Sequence, residues 1–130
     1  MEPKENILIT GGAGYLGNVM ARNFLKNGYK VTCLDNLTYR QDYSIFPLAS
    51  NRNFDFIFGD VRDEGLLNRI VPKQDIIIPL AAIVGSPACD ARPFDAVTVN
   101  RDAVSSINKI RSNTEARSTL AFHLKSSRLY

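Results

Sequence analysis

With 130 residues, 45% of them apolar and 22% charged, the chain is sized and composed for one globular core. It has no apolar run near the roughly 20 residues a membrane span requires, and its opening Met1-Glu-Pro-Lys-Glu5 is unlike a signal peptide, so a cytoplasmic protein is expected. The net charge of +3 comes from the end of the chain: residues 1–100 carry 10 Lys and Arg against 11 Asp and Glu, and residues 101–130 carry 6 against 2. Scattered basic side chains without interleaved aromatics argue against a nucleic-acid partner.

From Asn6 the chain reads as a short apolar strand that runs straight into Gly11, Gly12, Gly14 and Gly17, with a helix-like segment behind them. A strand-to-helix turn this tight takes backbone angles and approaches that a Cβ would block. Gly11 and Gly12 are expected to form the turn, Gly14 to admit a pyrophosphate, and Gly17 to let the helix lie against the strand, its first N–H groups facing the phosphates. The helix is expected over Tyr15–Asn27, with Leu16, Met20 and Phe24 at i, i+4 and i+8 and Val19 beside them forming its apolar face, and with Gly28 as the C-cap.

Lys30–Leu34 reads as the second strand and Asp35 stands at its end, about 20 residues past the glycines. A carboxylate there accepts both hydroxyls of an adenosine ribose and repels a 2′-phosphate, which favours NAD. Arg40 follows closely and keeps NADP open. Residues 36–53 are polar and turn-rich, with a short helix expected near Tyr43 to Ser50. Phe54–Phe58 is the third strand, closed by Gly59-Asp60. Asp63 is placed to cap a helix through Leu66, Leu67 and Ile70 that Pro72 stops. Asp75–Leu80 is a continuous apolar run, as expected of a parallel strand buried on both faces. A loop without periodicity spans Ala81–Pro93, and a helix is expected over Phe94–Arg111, with Val97, Val104, Ile107 and Ile110 packing inward.

Alternating strands and helices predict an α/β fold, a doubly wound parallel sheet of the Rossmann type with four strands and a weaker fifth. The domain expectation is a dinucleotide-binding unit over 1–111, followed by an atypical segment over 112–130. Cys33 and Cys89 are far apart and without clustered histidine, so neither a disulfide nor a metal site is expected. Cys33 reads as a core residue and Cys89 as a buried thiol in a loop. His123, alone in an apolar stretch, reads as structural.

Thr10–Gly17, Asp35-Asn36, Gly59-Asp60-Val61, Leu80-Ala-Ala82 and Asn100 occur in an order that, over residues 5–111, resembles the extended short-chain dehydrogenase/reductase family, the NAD-dependent nucleotide-sugar epimerases and dehydratases. The resemblance implies that Gly11, Gly14 and Gly17 hold the pyrophosphate of NAD and Asp35 its adenosine ribose. It puts Asp60 and Val61 beside the adenine and Leu80, Ala81 and Ala82 on the nicotinamide-ribose side. Gly12, Tyr15, Leu16 and Asn36 complete the contact set, and Asn100 sits in the helix behind. The stretch Ala82–Cys89 resembles the loop that meets substrate. It also implies a nucleotide-sugar substrate for the whole protein and a homodimer through the helix at 94–111.

The family uses a Tyr-x-x-x-Lys pair with an upstream Ser or Thr for proton transfer. No tyrosine here has a lysine four residues on, so no catalytic residue is assigned. Thr119–Leu124 is a candidate fifth strand, Ser126 or Ser127 a candidate imitation of the hydroxyl, and a truncated or frame-shifted end is expected. The chain is therefore read as the NAD-binding portion of such an oxidoreductase, able to bind dinucleotide without turnover. A non-catalytic NAD-sensing or scaffold protein and an NADP-dependent reductase are the alternatives.

Overall fold

A computed structural model of the chain describes residues 2–83, 86–113 and 119–120. Five strands, β1 (Asn6–Thr10), β2 (Lys30–Asp35), β3 (Phe54–Phe58), β4 (Ile76–Pro79) and β5 (Thr119–Leu120), form one sheet in the order β3-β2-β1-β4-β5, every neighbouring pair parallel. Registers run Asn6↔Lys30 and Ile7↔Ile76, so β1 lies at the centre with a hydrogen-bonded neighbour on each side. The fifth strand pairs Thr119 and Leu120 with Ile76 and Ile77. The expectations for His123, Ser126 and Ser127 lie outside the described residues.

Successive side chains of a strand point to opposite faces, and β1 is apolar in both directions. Ile7 and Ile9 join Val31, Cys33 and Ile78 beneath the first helix, α1 (Tyr15–Lys26). Leu8 joins Leu34 and Ile77 on the other face, against Leu67 and Ile70 of α2 (Glu64–Ile70) and Ile107 farther along. The two apolar clusters sandwich the sheet, and this is why the expected continuous hydrophobic strands appear.

The helix faces differ in detail from the expected ones. In α1 the buried residues are Gly17, Asn18, Ala21 and Leu25, with Met20 and Phe24 only partly buried, while Leu16 and Val19 are 45% and 42% exposed. Small residues let the helix axis approach the sheet closely, and the larger apolar side chains splay to the flanks. The C-terminus of α1 behaves as expected. Gly28 takes a φ of +87°, its N–H donates to Leu25 O and that of Tyr29 to Phe24 O, and the rings of Phe24 and Tyr29 meet edge-on at 5.5 Å.

Where a loop was expected from Ala81 to Pro93, a short helix, α3 (Ser86–Ala91), forms. The next helix is interrupted. After α4 (Pro93–Val97) comes a π-helical turn (Thr98–Asp102) and then α5 (Ala103–Ser112). Its buried residues are Ala96, Val99, Ala103 and Ile107; Ile110 packs partly, and Val97 and Val104 are half-buried. The short helix expected near Tyr43–Ser50 is instead two 3₁₀ turns, Asp42–Ser44 and Phe46–Leu48.

Candidate functional site

The strand order reverses direction at β1, whose successor β2 lies on one side and β4 on the other, and crevices for ligands open at the carboxyl ends of such strands. A cleft of about 450 Å³ lies there. All of the residues expected to contact a cofactor line it except Gly12 and Asn100.

Each glycine of the first loop has its own reason. Gly11 adopts a φ of +73°, donates its N–H to Leu34 O at 2.8 Å, and is so close to the β4 end that a Cβ would lie 2.7 Å from Ala81 N. Gly12 lies in the turn beside it, as expected, and is constrained by packing as well: a Cβ would strike Cys33 Sγ and lie 2.5 Å from Cys33 Cβ. At Gly17 a Cβ would meet Gly11 O at 2.5 Å and Gly12 Cα at 2.8 Å, so the helix starts in contact with the loop. Gly14 is the N-cap of α1 with an extended φ of −69° and provides no capping side chain. Beyond Gly11 O at 3.2 Å, the space a Cβ would take at Gly14 opens toward the cleft and the Gln41 amide, 3.8 Å away. The first amides of α1 thus face the cleft with no side-chain cap, an arrangement suited to an anion.

Asp35 was expected as a ribose acceptor, and the structure gives its carboxylate two further partners. Oδ2 accepts from Ala13 N at 3.0 Å and Oδ1 from Leu37 N at 2.8 Å. The carboxylate therefore ties the glycine loop to the loop after β2, and each oxygen keeps one lone pair for a ligand. Leu37 and Arg40 hold left-handed φ values of 57° and 51°, joined by Arg40 N to Leu37 O at 2.8 Å. Arg40 is exposed and does not line the cleft. The segment beyond is clasped to the glycine loop and α1: Ser44 Oγ donates to Ala13 O at 2.8 Å, and Asn18 Nδ2 to Ser44 O at 2.6 Å.

Sequence reasoning missed Arg62. Its Nε and Nη2 fork onto Asp60 Oδ1 and Oδ2 at 2.9 and 2.6 Å, and its Nη1 reaches Asp95 Oδ1 at 2.6 Å and Thr98 Oγ1 at 3.3 Å. Arg92 adds a second bond to the same carboxylate, Nε to Asp95 Oδ2 at 2.9 Å. The Arg62 guanidinium holds the Asp60 carboxyl below its ordinary value, and Arg62 followed by Arg92 does the same for Asp95. Arg62 is in turn raised by Asp60 and Asp95. Spacing in the sequence gives no sign of this cluster, because its members come from two segments more than thirty residues apart.

Asn100, expected in the helix behind the site, lies in the π-helical turn and acts on the cleft through another segment. Its Oδ1 accepts from Ile83 N at 2.7 Å and its Nδ2 donates to Ile83 O at 2.8 Å, fixing the chain just after Leu80–Ala82. Ala81 N is held from the other side by Thr10 Oγ1 at 3.3 Å. Cys89 is buried and donates Sγ–H to Ile83 O at 3.4 Å, as its buried-thiol reading has it. Cys33 is a core residue whose thiol burial, followed by the Asp35 charge, pushes up to about 12. Among the described residues no cluster of metal-ligating side chains occurs, and no helix is long and apolar enough to cross a membrane.

The NAD dependent epimerase/dehydratase family matches residues 7–130. A dTDP-glucose 4,6-dehydratase of Streptomyces niveus is 39% identical over 83 residues, 58% of this chain and 25% of that protein. Among solved structures, the epimerase Mth375 of Methanothermobacter thermautotrophicus superimposes with a TM-score of 0.79 at 26% identity, over 88% of this chain and 33% of its own. DesIV, a dTDP-glucose 4,6-dehydratase of Streptomyces venezuelae with NAD and TYD bound, does so at 0.77 and 27%, over 86% and 37%. The chain thus spans about a quarter to a little over a third of the length of these relatives. The match to most of its residues and the parallel sheet with its glycine-lined cleft agree, and the chain belongs to the NAD-dependent epimerase/dehydratase family.

Proposed function

We propose that residues 1–111 are the NAD-binding domain of a nucleotide-sugar-modifying oxidoreductase, and that the 130-residue chain by itself holds the dinucleotide without turning over a sugar. The observation that carries this reading is the glycine loop: a left-handed Gly11, a Gly14 open toward the cleft, and uncapped first amides of α1, all at the carboxyl end of the central strand. That cradle fits a diphosphate, because Gly14 leaves the entry to the uncapped helix end open where a side chain would stand.

In this reading the uncapped first amides of α1, at Tyr15, Leu16 and Gly17, hold the pyrophosphate, and Asp35 takes the ribose hydroxyls with its remaining lone pairs. Asp60 and Val61 border the adenine. Leu80 to Ala82 form an apolar wall for the nicotinamide ribose, kept in place by Asn100. When bound, NAD supplies the hydride acceptor for oxidation of a sugar carbon. This chain's residues bind and orient; the 130-residue sequence has no tyrosine followed by a lysine four residues later to move the proton. NAD rather than NADP is favoured by the placement of Asp35 in the cleft and of Arg40 outside it.

Isothermal titration calorimetry of the purified chain with NAD tests the reading, with saturable one-site binding as the expected result. No binding at millimolar NAD overturns it. NAD-dependent conversion of a nucleotide-sugar by the chain alone would overturn the non-catalytic part.

A further inference from the structure

The described cleft is lined by two cationic side chains, Arg62 and Arg92, and a carboxylate that does not line it touches both. Asp95 presents Oδ1 to Arg62 Nη1 at 2.6 Å and Oδ2 to Arg92 Nη2 and Nε, each at 2.9 Å. The rest of the Arg62 fork is taken up by Asp60 at 2.6 and 2.9 Å. This cluster adjoins the ribose position: Asp35, Asn36, Asp60 and Arg62 line the same cleft, and Gly59 N, just before Asp60, donates to Asp35 O at 3.1 Å. The two arginines pair with Asp60 and Asp95, and Asp35 lines the same cleft, so these five groups give the adenosine end a local excess of one negative charge.

Resting on the NAD-binding reading above, we propose that Asp95 is a specificity-determining positioning residue: by engaging Arg62 and Arg92 it denies a ribose 2′-phosphate the cation it would need, and so enforces NAD over NADP. The physical contrast is one of charge. A phosphate monoester adds about −1.5 to −2 at pH 7. Against a net-negative rim, with Arg62 held by Asp60 and Asp95 and Arg92 held by Asp95 through Nε and Nη2, that charge meets repulsion; with Asp95 neutralised the local balance falls to zero, and Arg62 Nη1, left with only its 3.3 Å bond to Thr98 Oγ1, and Arg92 Nε and Nη2 are released. Asp35 opposes a 2′-phosphate directly. Asp95 acts from behind the cleft wall, through the arginines.

The test is the ratio of NADP to NAD affinity, measured by calorimetry on the 130-residue chain for wild type, Asp95→Asn and Asp95→Ala. A merely structural role for Asp95 would weaken both cofactors together and leave the ratio unmoved. The expected result is a ratio raised about tenfold, equivalent to about 1.4 kcal/mol, in at least one variant, with the gain removed when Arg62→Gln and Arg92→Gln are added. An unchanged ratio in both variants overturns the inference, as does a gain that survives removal of the two arginines. Should the wild-type chain bind neither cofactor, the NAD-binding reading itself fails and this inference with it; wild-type NAD binding with an unmoved ratio defeats the inference alone.

Discussion

Gly11 and Gly28 both adopt left-handed backbone, at φ +73° and +87°, but their surroundings differ, and alanine at each position separates conformational strain from collision. At Gly28 the space is open, the nearest heavy atom being Lys4 Cε at 3.9 Å from an added Cβ. Gly28→Ala therefore costs conformation alone, about 1 kcal/mol. At Gly11 the added Cβ would lie 2.7 Å from Ala81 N and 2.8 Å from Ala81 Cα and Leu80 C, all backbone, so β1 and the β4 end must move apart by roughly half an ångström or more. Overpacking of this kind adds about 1–3 kcal/mol to the strain, for about 2–4 kcal/mol in all. At about 4 °C per kcal/mol for a chain of this size, Gly28→Ala should lower Tm by about 4 °C and Gly11→Ala by about 8–16 °C. Thermal and urea melts followed by far-UV circular dichroism measure both. NAD affinity should fall for Gly11→Ala, whose displacement opens the cleft wall, and stay level for Gly28→Ala at the far end of α1. Equal losses of stability in the two variants would refute the argument, because collision with Ala81 would then contribute nothing.

Asn100→Ala leaves Ile83 N and O without the partners at 2.7 and 2.8 Å, so a loss of about 2–3 kcal/mol and weaker NAD binding are expected from a residue that does not line the cleft; denaturation and calorimetry report the two effects, and unaltered affinity would show that Leu80–Ala82 holds its place without the clamp. Asp60 and Asp95 have folded pKa values below the ordinary 3.8, so the stability they contribute is fully present above that value and is lost as pH falls through their lower folded values; Arg62→Ala should flatten this acid limb in melts between pH 5 and about 2, and an unchanged limb would contradict the assigned cause. Cys33 and Cys89 are both buried and Cys33 has its pKa pushed up to about 12, so a thiol reagent at pH 8 should label the native chain only at the rate of opening and both thiols at once in denaturant; rapid native labelling at Cys33 would contradict its packing beneath Gly12.

Local patterns in the sequence carried the strands, the glycine turn, the Gly28 cap and the Asp63 cap, whose Oδ1 accepts from Leu66 N at 3.0 Å. These depend on neighbours a few residues apart, and composition encodes them directly. Inward helix faces were less legible. Apolar size pointed to Leu16 and Val19 in α1 and to Val97 and Val104 later, whereas close approach of helix to sheet buries Gly17, Ala21, Ala96 and Ala103. A small residue that allows contact leaves no hydrophobic signal, and the π-helical turn at Thr98–Asp102 further alters the phase of its helix.

Sequence alone determined that a parallel α/β unit would bring a glycine loop and an acidic strand end together, because strand length, turn chemistry and burial on two faces are local requirements repeated along the chain. Tertiary structure alone decided what those residues touch: that Asp35 also ties down Ala13 and Leu37, that Gly12 is constrained by Cys33, that Asn100 clamps Ile83, and that Arg62 and Arg92 are held by Asp60 and Asp95. The contacts of Asp35 with Ala13, Gly12 with Cys33, Asn100 with Ile83 and Arg62 with Asp95 join segments distant along the chain, and such pairings are fixed only when the sheet order and helix packing bring these groups within a few ångströms of one another.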